Sequence, residues 1–441
     1  MSYASAIDQL NAMVPELYTG SGHPRRKFSL DEIRILLGAL GDPHRRVPSV
    51  LIAGTNGKGS AAATLASILT ESGLHTGLYT SPHLERANER IRLGRDEISD
   101  EDFARLYFRV HDAAQQLVEN GQLPQLPSFF EVLTAQAFLY FAEAGADIAV
   151  LEVGMGGRLD ATNVVDPLVS VITDISLDHT EWLGPTIGAI TREKAGILRR
   201  GGTLVTLPQH AEANQVMGDV AAGMAVRMVS AVPYLPAAAV AGPYTVEALG
   251  AAVQVDSPLL GAHQHRNVAL AIATAIELAG KHGFPITPAS IAEGIKKTCW
   301  PGRMERILRG GVEWILDVAH NPAGALALRV GLTSAFAGKM PRTLIFSCLR
   351  DKPAAEMAQI LFPLFEQVIL APIHTARATN VDDLLAATRA TGIPVVAAES
   401  VSKALKLAAE HAKGGAVVVS GSVYLVGEAR PLLLAARGEE A

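Results

Sequence analysis

The chain has 441 residues, 49% hydrophobic and 19% charged, with a net charge of −6 and a pI near 6.1. Such a length predicts two domains or three and the composition excludes a disordered chain, while the acidic balance argues against a general nucleic-acid binder, whose footprint is basic. Cys299 and Cys348 make no disulfide framework and fit a reducing cytoplasm, and with no signal-like N-terminus and no run of roughly 18–20 apolar residues, secretion and membrane insertion are not expected.

Most of the chain reads as strands alternating with helices. Ser29-Leu30-Asp31-Glu32 reads as a capping box, with Ile33, Leu36, Leu37 and Leu40 following at helical spacing. Val50 to Ala53 is a short apolar strand running into Gly54-Thr55-Asn56-Gly57-Lys58-Gly59-Ser60, and Ala61 to Leu69 reads as a helix. Asp147 to Val153 and Leu168 to Thr173 read as buried strands. Ala211 to Val255 reads as less regular, a small β-rich excursion, before a long helix from His263 to His282. The pattern pauses near Thr298 to Gly302, which divides the chain into residues 1–298 and 299–441. Beyond it, strand-like runs recur at Trp314 to Asp317, Thr343 to Phe346, Val368 to Ala371, Pro394 to Ala398 and Ala416 to Ser420. They predict a second α/β domain with a mostly parallel sheet.

The loop from Gly54 to Ser60 sits where phosphate chemistry needs it, between a buried strand and a helix N-terminus. Glycines let backbone N–H groups approach phosphate oxygens, and the helix end adds partial positive charge. Lys58 supplies a full charge near the β/γ-phosphates, and Ser60 is placed to ligate Mg²⁺. Gly59 between Lys58 and Ser60 departs from the strict G-x-x-x-x-G-K-[ST] form.

Other polar residues fall where strands should end. Ser81, in Thr80-Ser81-Pro82-His83, is a candidate metal or phosphate contact, against the plainer reading of a proline turn. Glu152 lies in an apolar strand, where a carboxylate costs several kcal/mol unless paired or metal-bound. It precedes a glycine-dense loop carrying Arg158, Asp160, Ala161 and Asn163, at a strand end where open α/β sheets bind ligands. There the alternative is a loop whose Asp160 and Asn163 satisfy their own backbone. His179 is a candidate metal ligand or a hydrogen-bonded loop residue. Glu193-Lys194 reads from local pattern as a solvated charge pair on a helix.

Taken in order, these segments resemble the folylpolyglutamate synthases, specifically the bacterial form that is also dihydrofolate synthase, with the Mur ligases as wider relatives. The matching segments run from the phosphate loop through Thr80 to Leu84, Phe129-Phe130-Glu131, Glu152 to Asn163, Asp178-His179-Thr180, Glu193 to Ile197, His263-Gln264 with Asn267, Pro301-Gly302-Arg303, Leu316 to Pro322 and Ser420 to Gly427. The resemblance implies an N-terminal P-loop ATPase domain and a smaller Rossmann-like C-terminal domain. It implies ATP contacts at Asn56, Gly57, Lys58, Gly59, Ser60, Asn267, Arg303 and Asp317. Ser60, Ser81, Glu152 and His179 match ligands of two Mg²⁺ ions, and Lys194 matches a lysine carried as a carbamate. Lys27, Phe28, Ser29, Ser128, Phe129, Phe130, Glu131, Arg158, Asp160 and Ala161 match pterin-binding positions. His320 and Ser422 match positions near the phosphate and the incoming glutamate. One departure is Cys348-Leu349-Arg350-Asp351-Lys352-Pro353, where a glycine-methionine-type turn is expected.

The implied reaction adds L-glutamate to dihydropteroate and to the γ-carboxylate of reduced folates through an acyl phosphate, with Lys58, Lys194, Asp317 and His320 as catalytic candidates, in a cytoplasmic monomer with no nucleic-acid or membrane partner. Two other readings stand beside it: a Mur-type or cyanophycin-type ligase for another acid, and an ATP-binding switch without ligation.

Overall fold

Strand β1 (Ser49–Ala53) is buried along its whole length, because it lies between two parallel neighbours and is covered on both faces. Val50 and Ile52 point into one apolar core, Leu51 and Ala53 into another, as a continuous apolar run in a doubly covered sheet requires. The sheet also contains β2 (Thr76–Tyr79), β3 (Ile91–Leu93), β4 (Asp96–Glu97), β5 (Ile148–Glu152), β6 (Val169–Ile172), β7 (Thr203–Thr206) and β8 (Arg227–Ser230). Its order is β4-β3-β2-β5-β1-β6-β7-β8. Strands β2 to β8 along that order are parallel, and β3 and β4 are antiparallel at one edge.

The structure, a computed structural model, describes residues 2–13, 29–237, 242–335, 341–412 and 414–435. Two compact units are present, one from Met1–Ala237, Pro243–Asp256 and Arg266–Thr298, the other from Ala238–Gly242, Ser257–His265 and Cys299–Ala441. No described helix is long and apolar enough to cross a membrane.

In the first unit, helices Leu30–Ala39, Asp100–Glu119 and Phe129–Glu143 supply one core, and Lys58–Glu71, the part of helix Ala262–His282 from Arg266 onward, and Pro288–Lys296 supply the other. Helix Lys58–Glu71 is rich in alanine and buried on most sides, so its neighbours come close. A Cβ on Gly294 would overlap the backbone of Ile68.

The second unit holds β11 (Glu305–Arg309), β12 (Val312–Asp317), β13 (Arg342–Phe346), β14 (Gln367–Leu370), β15 (Val395–Ala397) and β16 (Ala416–Ser420), in the order β11-β12-β16-β13-β14-β15. Only β11 runs antiparallel. Ile315, Leu344, Phe346, Val368 and Val418 build its core, with Phe346 and Phe362 edge to face at 5.4 Å.

Two local expectations change. Ser29 caps its helix by accepting from Asp31 N at 3.1 Å, and this cap is not a capping box with Glu32. The stretch from Ala211 is not β-rich at its start: Ala211–Gly223 is a helix, β8 then joins the main sheet, and only β9 (Tyr244–Ala248) with β10 (Ala251–Val255) forms a separate hairpin.

Candidate active site

The phosphate loop leaves the C-terminal end of β1 and is braced by the segment that follows β6. Thr55 N and Asn56 N donate to Asp174 O at 2.9 and 3.2 Å. Thr173 Oγ1 donates to Asn56 O at 2.7 Å, and Thr55 Oγ1 donates to Ser176 O at 3.1 Å. The packing dictates glycine at two places. Gly54 (φ +150°) and Gly57 (φ +87°) have left-handed backbones, and a Cβ would overlap Thr173 Oγ1 at the first and Asn267 Oδ1 at the second. Gly57 precedes helix Lys58–Glu71 and supplies no side-chain cap, an arrangement that suits an anion at the helix end. Lys58 Nζ reaches back to Thr55 O at 3.1 Å. Ser60 is buried in the first turn.

Strand β5 pairs with β1 so that Glu152 lies opposite Ile52, beside the root of the loop. The Glu152 carboxylate is buried and accepts Ser81 N at 3.2 Å, which brings two of the expected metal positions together. His179 has a left-handed backbone (φ 50°) where helix Thr180–Leu183 begins, and its N–H donates to Asp178 Oδ1 at 2.9 Å. Among the described residues no group of three or more His, Cys, Asp or Glu side chains could hold a metal. The Glu152 carboxylate and the Ser60 and Ser81 hydroxyls are the oxygen donor type that Mg²⁺ takes, and Mg²⁺ keeps waters and substrate phosphates in its shell instead of filling a protein cage, whereas the His179 imidazole is a donor type that suits softer metals.

Lys194, read from sequence as half of a solvated pair, is 4% exposed, whereas Glu193 beside it pairs with Arg158 at 3.0 Å. Lys194 Nζ donates to Gly54 O at 2.7 Å. Burial, then the charge of Lys58, pulls its pKa down to about 7 against Asp178 and Asp160. A lysine in this state is a nucleophilic amine for an appreciable fraction of the time at neutral pH.

The glycine-dense loop packs on the end of helix Ile187–Ala195. A Cβ on Gly157 would come within 2.8 Å of Glu193 O. Asn163 Nδ2 donates to Arg158 O and Gly196 O at 3.1 Å, and Arg199 Nη2 donates to Asn163 Oδ1 at 2.9 Å. Asp160 accepts Met155 N at 2.9 Å, Thr162 N at 3.0 Å and Thr162 Oγ1 at 2.5 Å. Its carboxyl therefore organises its own loop, and burial raises its pKa. Ala161 is buried in the short helix Ala161–Val164.

Of the pterin positions, Ser128 and Glu131 form a capping box at the start of helix Phe129–Glu143, with Glu131 Oε2 accepting Ser128 N and Oγ at 2.7 Å. Phe130 is packed beneath Gly154, where a Cβ would come within 2.6 Å of its ring. Lys27 and Phe28 lie outside the described residues. Of the bracing residues, Asp174 carries no sequence signal because it acts on the loop through its carbonyl, whereas Thr173 acts through its hydroxyl.

In the second unit Asp317 ends β12, buried, accepting Met304 N at 3.0 Å and Ala319 N at 2.9 Å. Burial raises its pKa, opposed by His263 and Arg303. Arg303 lies 5.8 Å over the Trp300 ring. His320 Nδ1 is 2.9 Å from Val318 O, and Ser422 Oγ accepts Tyr424 N at 3.2 Å. The departing segment pairs outward: Leu349 bridges Ala378, and Asp351 takes Arg377 at 2.8 Å.

Two family models match the chain, the Mur ligase middle domain over residues 52–275 and the Mur ligase glutamate ligase domain over 302–423. A folylpolyglutamate synthase from Lacticaseibacillus casei is 34% identical over 98% of this chain and 99% of its own length. A dihydrofolate synthase/folylpolyglutamate synthase from Bacillus subtilis is 34% identical over 93% and 97%. Among solved structures, Mycobacterium tuberculosis folylpolyglutamate synthase complexed with ADP superimposes with a TM-score of 0.88 at 32% identity, covering 98% of both chains. Escherichia coli FolC in complex with DHPP and ADP gives 0.84 at 28% identity, covering 99% of both. With near full-length similarity and both domain models in order, the chain belongs to the folylpolyglutamate synthase family of Mur ligases.

Proposed function

We propose that this chain is an ATP-dependent ligase that adds L-glutamate to dihydropteroate and to the γ-carboxylate of reduced folates. The observation that carries this reading is the braced phosphate loop with Glu152, Ser81 and Lys194 gathered at the ends of neighbouring strands. Relatives described as folylpolyglutamate or dihydrofolate synthases, and solved with ADP, support it.

In this reading the loop N–H groups and the helix end hold the ATP phosphates, and Lys58 leaves Thr55 O to neutralise the transferring phosphoryl group. The acceptor carboxylate attacks the γ-phosphorus, the bond to the β-bridging oxygen breaks, and ADP leaves. The glutamate amine then adds to the acyl phosphate. The tetrahedral intermediate loses phosphate, and the ammonium proton passes to a base or solvent, giving the amide. Ser60, Ser81, Glu152 and His179 are the groups that would hold Mg²⁺. When bound it neutralises phosphate charge and orients the oxygens for in-line displacement. Carbamylation of Lys194 would turn a buried cation into an oxygen donor for the same site. We assign the acceptor and ATP phosphates to residues 1–298. Much of the rate comes from placing the three reactants together.

Glutamate-dependent ADP release, measured with dihydropteroate or with tetrahydrofolate, tests the reading. Release with both is expected. Lys58→Ala should abolish it while leaving the melting profile intact. Wild-type turnover in that variant overturns the role of the loop, and release with tetrahydrofolate alone reduces the activity to folate extension.

A further inference from the structure

In the first unit, the residues that follow β6, Thr173 to Ser176, are bound both to the phosphate loop and to two further segments of the chain. Toward the loop, Asp174 O accepts Thr55 N and Asn56 N, which makes an isolated bridge between Asn56 and Asp174. Beyond β7, Gln209 Oε1 accepts Ile175 N at 2.6 Å, and Gln209 Nε2 donates to Thr173 O at 3.3 Å. The Asp174 carboxylate is taken by Arg266, on helix Ala262–His282. Arg266 Nε donates to Oδ2 at 2.8 Å and to Oδ1 at 3.1 Å, and Nη2 donates to Oδ1 at 2.5 Å. Nη2 also donates to Pro208 O at 3.0 Å, so the guanidinium is itself anchored.

Two neighbouring residues of that helix thereby bear on the loop. Asn267 Oδ1 fills the space where a Cβ of Gly57 would stand. Arg266 reaches Thr55 and Asn56 through a single residue, whose carboxylate it grips and whose carbonyl receives their N–H groups. A two-point guanidinium fork fixes direction as well as distance, which a point charge does not. Both side chains are partly exposed, Arg266 28% and Asp174 39%, so the pair adds little to global stability. Its effect falls on the placement of the peptide to which the loop is tied, and a displacement of about 1 Å near reacting groups costs about a hundredfold in rate.

We infer that Arg266 and Asp174 act as one positioning device that sets the phosphate loop for nucleotide; the inference rests on the reading of that loop as the ATP site. Asp174→Ala, Arg266→Met, the double variant and Arg266→Lys are compared by calorimetric binding of ADP, by KM for ATP and for dihydropteroate, and by melting temperature. Each of the first two should raise Kd for ADP and KM for ATP about tenfold, the scale of one lost charge-assisted grip. KM for dihydropteroate should stay within about twofold and the melting temperature within about 3 °C, because the pair is partly solvated. The double variant should bind ADP no more weakly than either single one, since both act through one contact. Arg266→Lys keeps the charge without the fork and should remain impaired. Additive losses in the double variant, wild-type affinity in Arg266→Lys, or a KM for dihydropteroate that rises in step overturns the inference. Tighter ADP binding by Asp174→Ala also overturns it, because Arg266 would then be a phosphate ligand that Asp174 withholds. Wild-type protein that binds no ADP overturns the reading of the loop instead, and this inference with it.

Discussion

Replacing Lys194 by methionine should stabilise the first unit at and below neutral pH while removing turnover. Folding lowers the pKa of Lys194 from 10.5 to about 7, chiefly through burial and then through Lys58. The unfolded chain keeps the ordinary lysine value and binds the proton more tightly. The resulting penalty on folding is full below about pH 7 and shrinks as pH rises toward 10.5. A gap of that size corresponds to roughly 5 kcal/mol. Methionine also loses the charged hydrogen bond to Gly54 O, which offsets about 1.5–3 kcal/mol. A net gain of roughly 2–3 kcal/mol remains, about 5 °C or more in melting temperature for a unit of this size. At pH 10 the gain should vanish. Thermal melts of both proteins at pH 6.5 and 10 in CO₂-free buffer, with ADP release measured on the same samples, provide the comparison. A shift of equal size at both pH values, or a lower melting temperature for the variant at pH 6.5, would refute the reasoning.

Gly57→Ala places a Cβ on Asn267 Oδ1 at a left-handed backbone position, a strain of about 1–2 kcal/mol before any displacement. KM for ATP should rise at least tenfold in the ADP-release assay, and an unchanged KM contradicts the close approach. Gly294→Ala drives a methyl into the backbone of Ile68; overpacking there should cost about 1–3 kcal/mol, read as a lower melting temperature, whereas an unaltered melt removes the tight helix crossing. His44 is buried with its pKa lowered, first by that burial, and its Nδ1 is unpartnered. The neutral form therefore supports the fold above pH 6.5, and stability falls as pH drops below that value toward the folded pKa. His44→Leu should lose less stability than wild type between pH 6.5 and 5, and parallel losses would exclude the histidine as a source of acid sensitivity.

The strand–loop–helix unit around Lys58 was legible because burial on both faces leaves an unbroken apolar strand, and close backbone approach leaves glycines. The same holds for β5, β6 and the parallel strands of the second sheet. Strand β11 escaped notice because it is a charged edge, Glu305 to Arg309, with Leu308 exposed. Helix Ala211–Gly223 escaped because its Ala- and Gly-rich sequence buries only a narrow stripe, Ala213, Met217 and Ala221. Adjacent charges were the hardest to sort. Nothing local distinguishes Glu193 from Lys194, yet a helix turns successive side chains by about 100°. One meets Arg158 and the other is buried against Gly54 O. Glu131 shows the opposite problem. Its spacing from Ser128 carries a capping signal, and the side chain makes that cap at the start of its helix.

The bracing of the phosphate loop by Asp174, Thr173, Ser176 and Lys194 also has a thermodynamic consequence. Ordering a flexible backbone costs about 1–2 kcal/mol per residue, and a loose seven-residue loop would charge that cost against nucleotide affinity. Here the neighbouring strand and helix have already fixed the loop at folding. In a calorimeter, nucleotide binding should therefore show little of the unfavourable conformational entropy expected of a loop that orders on its ligand. Thr173→Val, which removes one brace without touching the anion-facing N–H groups, should restore part of that entropic penalty.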